Sequence, residues 1–401
     1  MRWLGSTGWR IALGAAVVGG WLTWQWLQPV AGAQQASGSA VESTALGGSA
    51  AASGAPGLAP YSAAGLATRD RQLQLWQLRH ERAEQVYSSY REATRLPPHS
   101  RPLGEHSDQA RPFEPVVSDA AMRDDSGRPV EGLRIRATQD KVFVSGTESA
   151  RFTVEAVDAS GRRLPLVVRR ATAQTVPDTR VLTLLTSTEL VFTDDGAGAD
   201  DAAQDGRHAA LLTPARQGFA GRAGTIRVLT EVAANGQQGL VAFDIVYLPE
   251  VAGRWTGVRE AMEDGALVFY LRAQVAVPGR YVASARVHDA NGGPVALLQF
   301  NDVLPAGAVE FRLPLAGLLV HEALPTFPLR LIDVEGFLLK PDTFPDRVLL
   351  PRLPGVVHES KVYPLGSFSA EEWRSEERDR YLAEYARDVA RAEEELARLR
   401  R

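Results

Sequence analysis

Five aspartates crowd into one glycine-rich stretch and form the best candidate for chemistry in this chain: Asp194, Asp195, Asp200, Asp201 and Asp205. Carboxylates this close repel one another unless a cation or turn hydrogen bonds relieve them, and calcium readily accepts such oxygen ligands. The spacing departs from the EF-hand pattern, in which the ligands alternate at fixed positions. Two interpretations remain open. One is a calcium site, and the other, which the sequence favours, is an exposed turn whose side chains cap local backbone amides.

Other arrangements that carry chemistry are missing from the sequence. The chain has no cysteine, which excludes disulfides, thiolate zinc sites, iron–sulfur clusters and cysteine nucleophiles. It has no nucleophile elbow, Walker loop or H-E-x-x-H motif, and its seven histidines are scattered. We therefore predict that the protein is not an enzyme, with no catalytic residues and no cofactor beyond the calcium of the acidic loop.

The charge balance bears on the class of partner. The 401 residues carry a formal net charge of −4, whereas general nucleic-acid binding needs a basic field. Arginines at four positions fall on predicted strands, where a solvated face is the expected role: Arg134, Arg136, Arg169 and Arg170. No nucleic-acid partner is expected.

The N-terminus resembles an export segment. Arg2 and Arg10 precede an uncharged apolar run over residues 11–28, about as long as the lower limit for a membrane-spanning helix. The arginines place the N-terminus in the cytoplasm, and the tryptophans at the far end of the run favour the membrane interface. Residues 1–33 thus predict a signal anchor in a bacterial inner membrane with the bulk of the chain in the periplasm. The alternative is a signal peptide cleaved near Ala33, which yields a secreted or periplasmic protein.

Three further segments precede the first folded domain. Residues 34–67 are rich in alanine, serine and glycine and predict a disordered linker. Residues 68–96 predict an amphipathic helix, because apolar side chains recur at spacings of three and four. Residues 97–115 are rich in proline and predict an extended segment, in which His99 and His106 are expected to be solvated.

The last segment, 355–401, ends in a charged amphipathic helix. Ser369 and Glu372 form a capping-box signature, which predicts a helix from about residue 370. An apolar seam follows at coiled-coil spacing: Leu382, Tyr385, Val389, Ala392, Leu396 and Leu399. The seam either pairs with the helix at 68–96, the favoured alternative, or binds an envelope protein partner.

The middle of the chain alternates with the period of β-strands. The alternation begins near Glu131, and turn signals such as Asn235-Gly236 and Asp289–Gly293 punctuate it. Short strands without intervening helices predict two tandem immunoglobulin-like β-sandwiches, over residues 116–249 and 250–354. The predicted fold class is therefore mainly β, flanked by the N-terminal membrane segment with its helix and by the long C-terminal helix.

Three segments carry a family resemblance: Arg91–Leu103, Thr193–Gly206 and Pro278–Val295. They resemble uncharacterised bacterial cell-envelope proteins with immunoglobulin-like domains of the choice-of-anchor type. The resemblance extends over roughly residues 90–365 and rests on turn patterns. It implies an exported β-protein and supplies no catalytic residues.

Two classes of function follow from these features. The first is a non-catalytic envelope protein, membrane-anchored through residues 11–28 or exported, which presents its sandwiches for protein interaction, assembly or adhesion. The second is an accessory carbohydrate-binding or cell-wall hydrolytic protein of the periplasm. The second class needs exposed aromatic side chains, for which the candidates are Trp255, Tyr270, Tyr281 and Trp373.

Overall fold

The computed structural model describes residues 63–123, 128–177 and 185–401. The predicted membrane segment, its cleavage site and most of the predicted linker lie outside these residues. In the part of the chain that is described, no helix is both long enough and apolar enough to cross a membrane. From Ala67 onward the chain forms one unit.

Strands dominate the described chain, as the alternation predicts. The helices are α1 (Ala63–Ala93), α2 (Gly317–Ala323) and α3 (Glu376–Arg400). The strands are β1 (Ser100–Pro102), β2 (Val116–Arg123), β3 (Pro129–Gln139), β4 (Phe143–Ser145), β5 (Ala150–Val157), β6 (Arg163–Leu164), β7 (Val167–Thr175), β8 (Ser187–Glu189), β9 (Arg207–Leu212), β10 (Gly224–Ala234), β11 (Gln237–Leu248), β12 (Gly253–Glu263), β13 (Ala266–Val275), β14 (Gly279–His288), β15 (Pro294–Leu304), β16 (Gly307–Leu315), β17 (Arg330–Leu339), β18 (Arg347–Leu349) and β19 (Leu353–Glu359).

The first sandwich encloses one core between two sheets. The β5 sheet has the order β2-β3-β5-β6 with β9 beside β5, and the β10 sheet has the order β4-β11-β10-β7-β8. Alternate residues of these strands point inward, so Phe152 of one sheet meets Phe243 of the other with ring centroids 4.9 Å apart. The other side chains of β3, β5 and β9 form the outer face of the β5 sheet.

The second sandwich has a separate core. The β14 sheet has the order β1-β15-β14-β17-β18 with β19 beside β17, and it faces the three-stranded β13 sheet, β12-β13-β16. Phe311 lies at the centre of the core, with the rings of Trp255, Tyr281 and Phe300 within 6 Å of its own. The predicted turn at Asp289–Gly293 joins β14 to β15 as an antiparallel hairpin.

The two long helices pack against each other in antiparallel fashion. Near one end of the pair, Arg69 Nε donates to the carbonyl of Leu399 at 2.6 Å. Near the other end, Tyr90 packs edge-on against Tyr385, with ring centroids 5.2 Å apart. The apolar seam of α3 is thus in contact with α1 of its own chain, the favoured of the two alternatives.

Helix α1 differs from the sequence prediction in its bounds. It begins at Ala63 rather than at residue 68, because the alanine-rich end of the predicted linker has high helix propensity. Its half-buried residues recur at the predicted spacing of three and four: Leu73, Trp76, His80, Ala83, Tyr87 and Tyr90. Three apolar residues of the helix are nevertheless exposed, namely Leu75, Leu78 and Val86.

The predicted capping box of α3 is wrong. The N-cap is Ser375, whose hydroxyl accepts from the backbone N–H of Arg378 at 3.1 Å. Glu372 does not cap the helix, because its carboxylate forms ion pairs with Arg91 of α1 and with Arg378. Ser369 is held in place by its own N–H, which donates to the carbonyl of Gly265 at 2.9 Å.

The proline-rich segment 97–115, which we call the strap, lies along the second sandwich. Its residues Ser100–Pro102 extend the β14 sheet by pairing with β15. Further along, the carbonyl of Gln109 accepts from Arg286 Nε at 2.7 Å. The strap covers the outer face of β14, which explains why both faces of that strand are buried.

Aromatic and cationic side chains connect the two sandwiches. The guanidinium of Arg347 lies 5.2 Å from the ring centroid of Phe143 in the first sandwich and 4.7 Å from that of Phe337 in the second. Arg352 Nη2 donates to the carbonyl of Phe143 at 3.2 Å. Stacked guanidinium groups of this kind stabilise an interface by about 0.5–2 kcal/mol each.

Candidate ligand-binding face of the first sandwich

Four of the five aspartates hold the acidic loop together through backbone amides. Asp194 accepts from the N–H groups of residues 205 and 206, both at 3.0 Å, and Asp200 accepts from that of residue 196 at 2.7 Å. Asp195 and Asp205 each accept from the N–H two residues further on. The turn interpretation predicts bonds of this kind, and they fix the direction of the carboxylates.

Three of the five aspartates converge. Carboxylate oxygens of Asp194, Asp200 and Asp205 all lie within 4.8 Å of one another. Oxygens that bind one calcium ion at about 2.4 Å lie at most about 4.8 Å apart, so the separation is compatible with a shared ion. Asp195 and Asp201 lie outside this group, and calcium binding stays a prediction.

Ion pairs attach the acidic loop to the outer face of the β5 sheet. Arg151 of β5 donates to Asp201 at 2.6 Å, and Arg163 of β6 donates to Asp205 at 3.0 Å. Beneath them lies Glu155, whose side chain is only 4% exposed. A carboxylate so buried requires compensation, and Arg163 supplies the nearest cation at 2.6 Å.

Two further arginines approach Glu155 from neighbouring strands. Arg136 of β3 reaches it at 3.4 Å and Arg207 of β9 at 3.5 Å. Across the sheet, Asp119, Arg136, Glu155 and Arg207 occupy paired positions on four adjacent strands, so positive and negative charges alternate. The predicted solvated face of Arg134 and Arg136 is thus a paired network, because each of them also bonds Asp119.

A cleft of about 530 Å³ opens on this face. Its lining consists of Glu114, Pro115, Val117, Arg136, Thr138, Asp140, Arg151, Thr153, Glu155 and Arg207. Sequence reasoning missed the cleft, because its residues come from four separated segments. The available signal was the row of charged and hydroxyl residues at alternate positions of β3 and β5.

A second buried polar cluster lies in the other sandwich. Both oxygens of Glu260 are bonded: one accepts from Tyr363 Oη at 3.0 Å and from the N–H of Lys361 at 2.8 Å, and the other lies 3.1 Å from His358 Nε2. Burial, together with the carboxylate of Glu260, raises the pKa of Tyr363 to about 12. These contacts tie β12 to β19 and to the segment that follows it, which is a structural role.

One of the two histidines of the strap differs from the predicted solvated state. His99 is not solvated as predicted: burial and, secondarily, the charges of Arg312 and Arg101 lower its pKa to about 4. It is therefore neutral at physiological pH. His106 is partly exposed, as predicted.

The four candidate aromatic residues are engaged within the fold. Tyr281 is fully buried, and its hydroxyl donates to the carbonyl of Val277 at 2.7 Å. Trp255 packs on Phe311, Arg259 covers the ring of Tyr270 at 3.6 Å, and Trp373 is partly buried. These rings do not form an open platform for a sugar.

Comparison with known proteins gives no family. No protein-family model matches the chain, and no curated protein matches its sequence. Among solved structures, the chain is similar to a DUF4785 family protein from Legionella pneumophila, with 12% identity and a TM-score of 0.37 over 57% of this chain. The similarity spans 57% of the Legionella protein's own length.

Two other solved structures are more distant. The adhesin FdeC of Escherichia coli shows 14% identity over 51% of this chain and 85% of its own, with a TM-score of 0.16. The Salmonella enterica SafA pilin in complex with the SafB chaperone shows 11% identity over 60% of this chain and 96% of its own, with a TM-score of 0.15. Similarities this low carry no argument about function.

Proposed function

We propose that the chain is a non-catalytic exported protein of the bacterial cell envelope, which presents two immunoglobulin-like β-sandwiches for protein interaction, assembly or adhesion. The junction between the sandwiches is the observation that carries the proposal. Arg347 lies over an aromatic ring from each sandwich, so the two sandwiches can present their surfaces as one rigid body. A rigid pair suits the presentation of a binding surface better than the closing of a cleft between domains.

The N-terminal sequence supports export. An apolar run after two arginines favours a single-pass anchor in the inner membrane with the folded part in the periplasm. Cleavage near Ala33 would release the same part as a secreted or periplasmic protein. In either case the sandwiches meet partners outside the cytoplasm.

The surfaces of the sandwiches are the proposed contact region for an envelope partner. The apolar seam of α3 is in contact with α1, which leaves the seam less available to another protein. The sandwich faces instead carry the cleft and the acidic loop.

Protease accessibility tests the proposed location. We expect full-length protein in a bacterial host to resist added protease in intact cells and to be digested in spheroplasts. The mass of the mature chain then distinguishes an anchor, with residues 1–33 retained, from cleavage. Protection in spheroplasts, with a cytoplasmic marker equally protected, would contradict export.

The alternative function is an accessory carbohydrate-binding or cell-wall hydrolytic protein. The cleft favours the binding half of this alternative, since it is lined by hydroxyls, carboxylates and guanidinium groups. Incubation of the full-length chain with purified cell wall tests the hydrolytic half. We expect no release of reducing sugars, and release above a heat-treated control would contradict the non-catalytic proposal.

We also propose that the acidic loop binds calcium through Asp194, Asp200 and Asp205, on the strength of their converging oxygens. Calcium should then raise the thermal midpoint of the full-length chain relative to chelator, because a ligand bound to the native state stabilises it. Asp200→Asn should reduce this shift, whereas Asp195→Asn, outside the converging group, should retain it. The turn interpretation holds instead if calcium leaves the midpoint unchanged.

A further inference from the structure

The cleft on the β5 sheet has an unusual mixture of charges. Arg136, Arg151 and Arg207 reach it from three different strands, and three carboxylates share its lining. Its volume of about 530 Å³ lies within the usual range for small-ligand sites, about 300–1,000 Å³. We propose that this cleft binds an acidic saccharide, with the sugar carboxylate on the guanidinium groups of Arg151 and Arg207.

The two arginines have hydrogen-bond donors to spare. Arg151 uses Nη2 for Asp201, and its side chain, 29% exposed, still contributes to the surface of the cleft. Arg207 lies farther from Glu155, with Nε 3.5 Å from the carboxylate. A carboxylate accepts two parallel bonds from a guanidinium, the strongest pairing available to it.

The rest of the lining suits hydroxyl groups. Thr138 and Thr153 provide hydroxyls on adjacent strands, directly opposite each other in the register. Glu114 and Asp140 provide carboxylates at the same cleft. Sugar hydroxyls both donate and accept, so they can pair with either kind of side chain.

The mixture argues against other ligand classes. A polyanion such as a nucleic acid would meet the carboxylates of Glu114, Asp140 and Glu155 along with the arginines. Many peptides bind through apolar side chains that enter pockets, and the apolar residues of this lining are Pro115 and Val117. A ligand with one carboxylate surrounded by hydroxyls matches the lining better than a nucleic acid or a peptide does.

The inference deepens the proposed function, since it rests on that proposal for the envelope as the source of the saccharide. Binding itself depends only on the cleft. Location and binding are measured separately, so either one can fail alone.

Titration calorimetry with glucuronate, a sugar with a single carboxylate, tests the proposal on the full-length purified chain. We expect binding in the micromolar to millimolar range, weakened by salt. Arg151→Gln and Arg207→Gln should each weaken it about tenfold or more, because a hydrogen bond to a charged group is lost. Arg134→Gln is the matched control, since Arg134 lies on the same face and pairs with Asp119 but does not line the cleft. Circular dichroism establishes that each variant is folded.

Four results would overturn the proposal. The first is no heat of binding at about 10 mM ligand, which corresponds to a binding free energy weaker than about 3 kcal/mol. The second is equal affinity for the neutral sugar glucose. The third is an equal loss in Arg134→Gln and the two cleft variants. Tighter binding of a free amino acid or of an acidic peptide at the same arginines would also reject a saccharide ligand. If Arg151→Gln does not fold, Arg207→Gln decides alone, because Glu155 keeps its two other arginines.

Discussion

Arg286 offers the sharpest test of how the second sandwich is held together. It lies two residues before the end of β14 and is only 1% exposed. Its guanidinium donates to the carbonyls of Gln109 and Asp333 at 2.7 and 2.9 Å, and to the carboxylate of Glu335 at 2.8 Å. A single buried cation therefore connects the strap, β14 and β17.

The substitution Arg286→Met keeps most of the hydrocarbon volume and removes every donor. The two carbonyls then lose charge-assisted bonds, at about 1–3 kcal/mol each. Glu335 is 36% exposed on its side chain, so it regains water and adds little. We expect the free energy of unfolding to fall by about 2–6 kcal/mol, the sum of the two lost bonds.

Urea denaturation of the full-length chain measures this loss. The control is Arg280→Met, the same substitution on the same strand, where the exposed Arg280 bonds only the side chain of Asn301. We expect it to change stability by less than about 0.5 kcal/mol. Because the strap loses its bond at Gln109, glutamyl endopeptidase should also cut after the exposed Glu105 faster in Arg286→Met. Equal stability of the two variants would refute the reasoning.

Three further perturbations test other parts of the fold. Val389→Asp should lower the helix content seen by circular dichroism, because the half-buried Val389 lies beside acidic side chains of α1, whereas Ala390→Asp on the exposed face should not. Gly317→Ala should lower the free energy of unfolding by about 1–3 kcal/mol, because a Cβ would meet the backbone N and O of Ser369 at 2.5 Å. Gly104→Ala, with open space around it, should leave that free energy almost unchanged in the same denaturation assay. Arg347→Ala should increase the radius of gyration measured by X-ray scattering, because the junction loses its stacked cation, and an unchanged radius would contradict a junction fixed by this residue.

The sequence predicts the strands well because a buried face imposes a period of two. The alternation at residues 133–137 and 241–247 lies in β3 and β11, and the Asn235-Gly236 turn joins β10 to β11. Each of these signals is local, so neighbouring residues suffice to read it.

Helix ends and polar clusters were harder to predict because distant residues decide them. Ser369 and Glu372 match a capping box, yet Glu372 pairs with Arg91, which lies almost 300 positions earlier. Arg286 lies in a run of β14 that is buried on both faces, but nothing in the local sequence identified the strap as the cover. Tertiary partners override local propensity at these positions.

The acidic loop and the cleft are physically connected, and this connection joins the two binding proposals. Asp200 and Asp201 are consecutive: Asp200 belongs to the converging carboxylates, and Asp201 holds Arg151 at the cleft. An ion that orders the loop would therefore also order Arg151 for its ligand. Binding free energies coupled in this way are reciprocal, so calcium should strengthen saccharide binding by the same factor as the saccharide strengthens calcium binding. Equal saccharide affinity in calcium and in chelator would show that the cleft is organised by the ion pairs of the sheet alone.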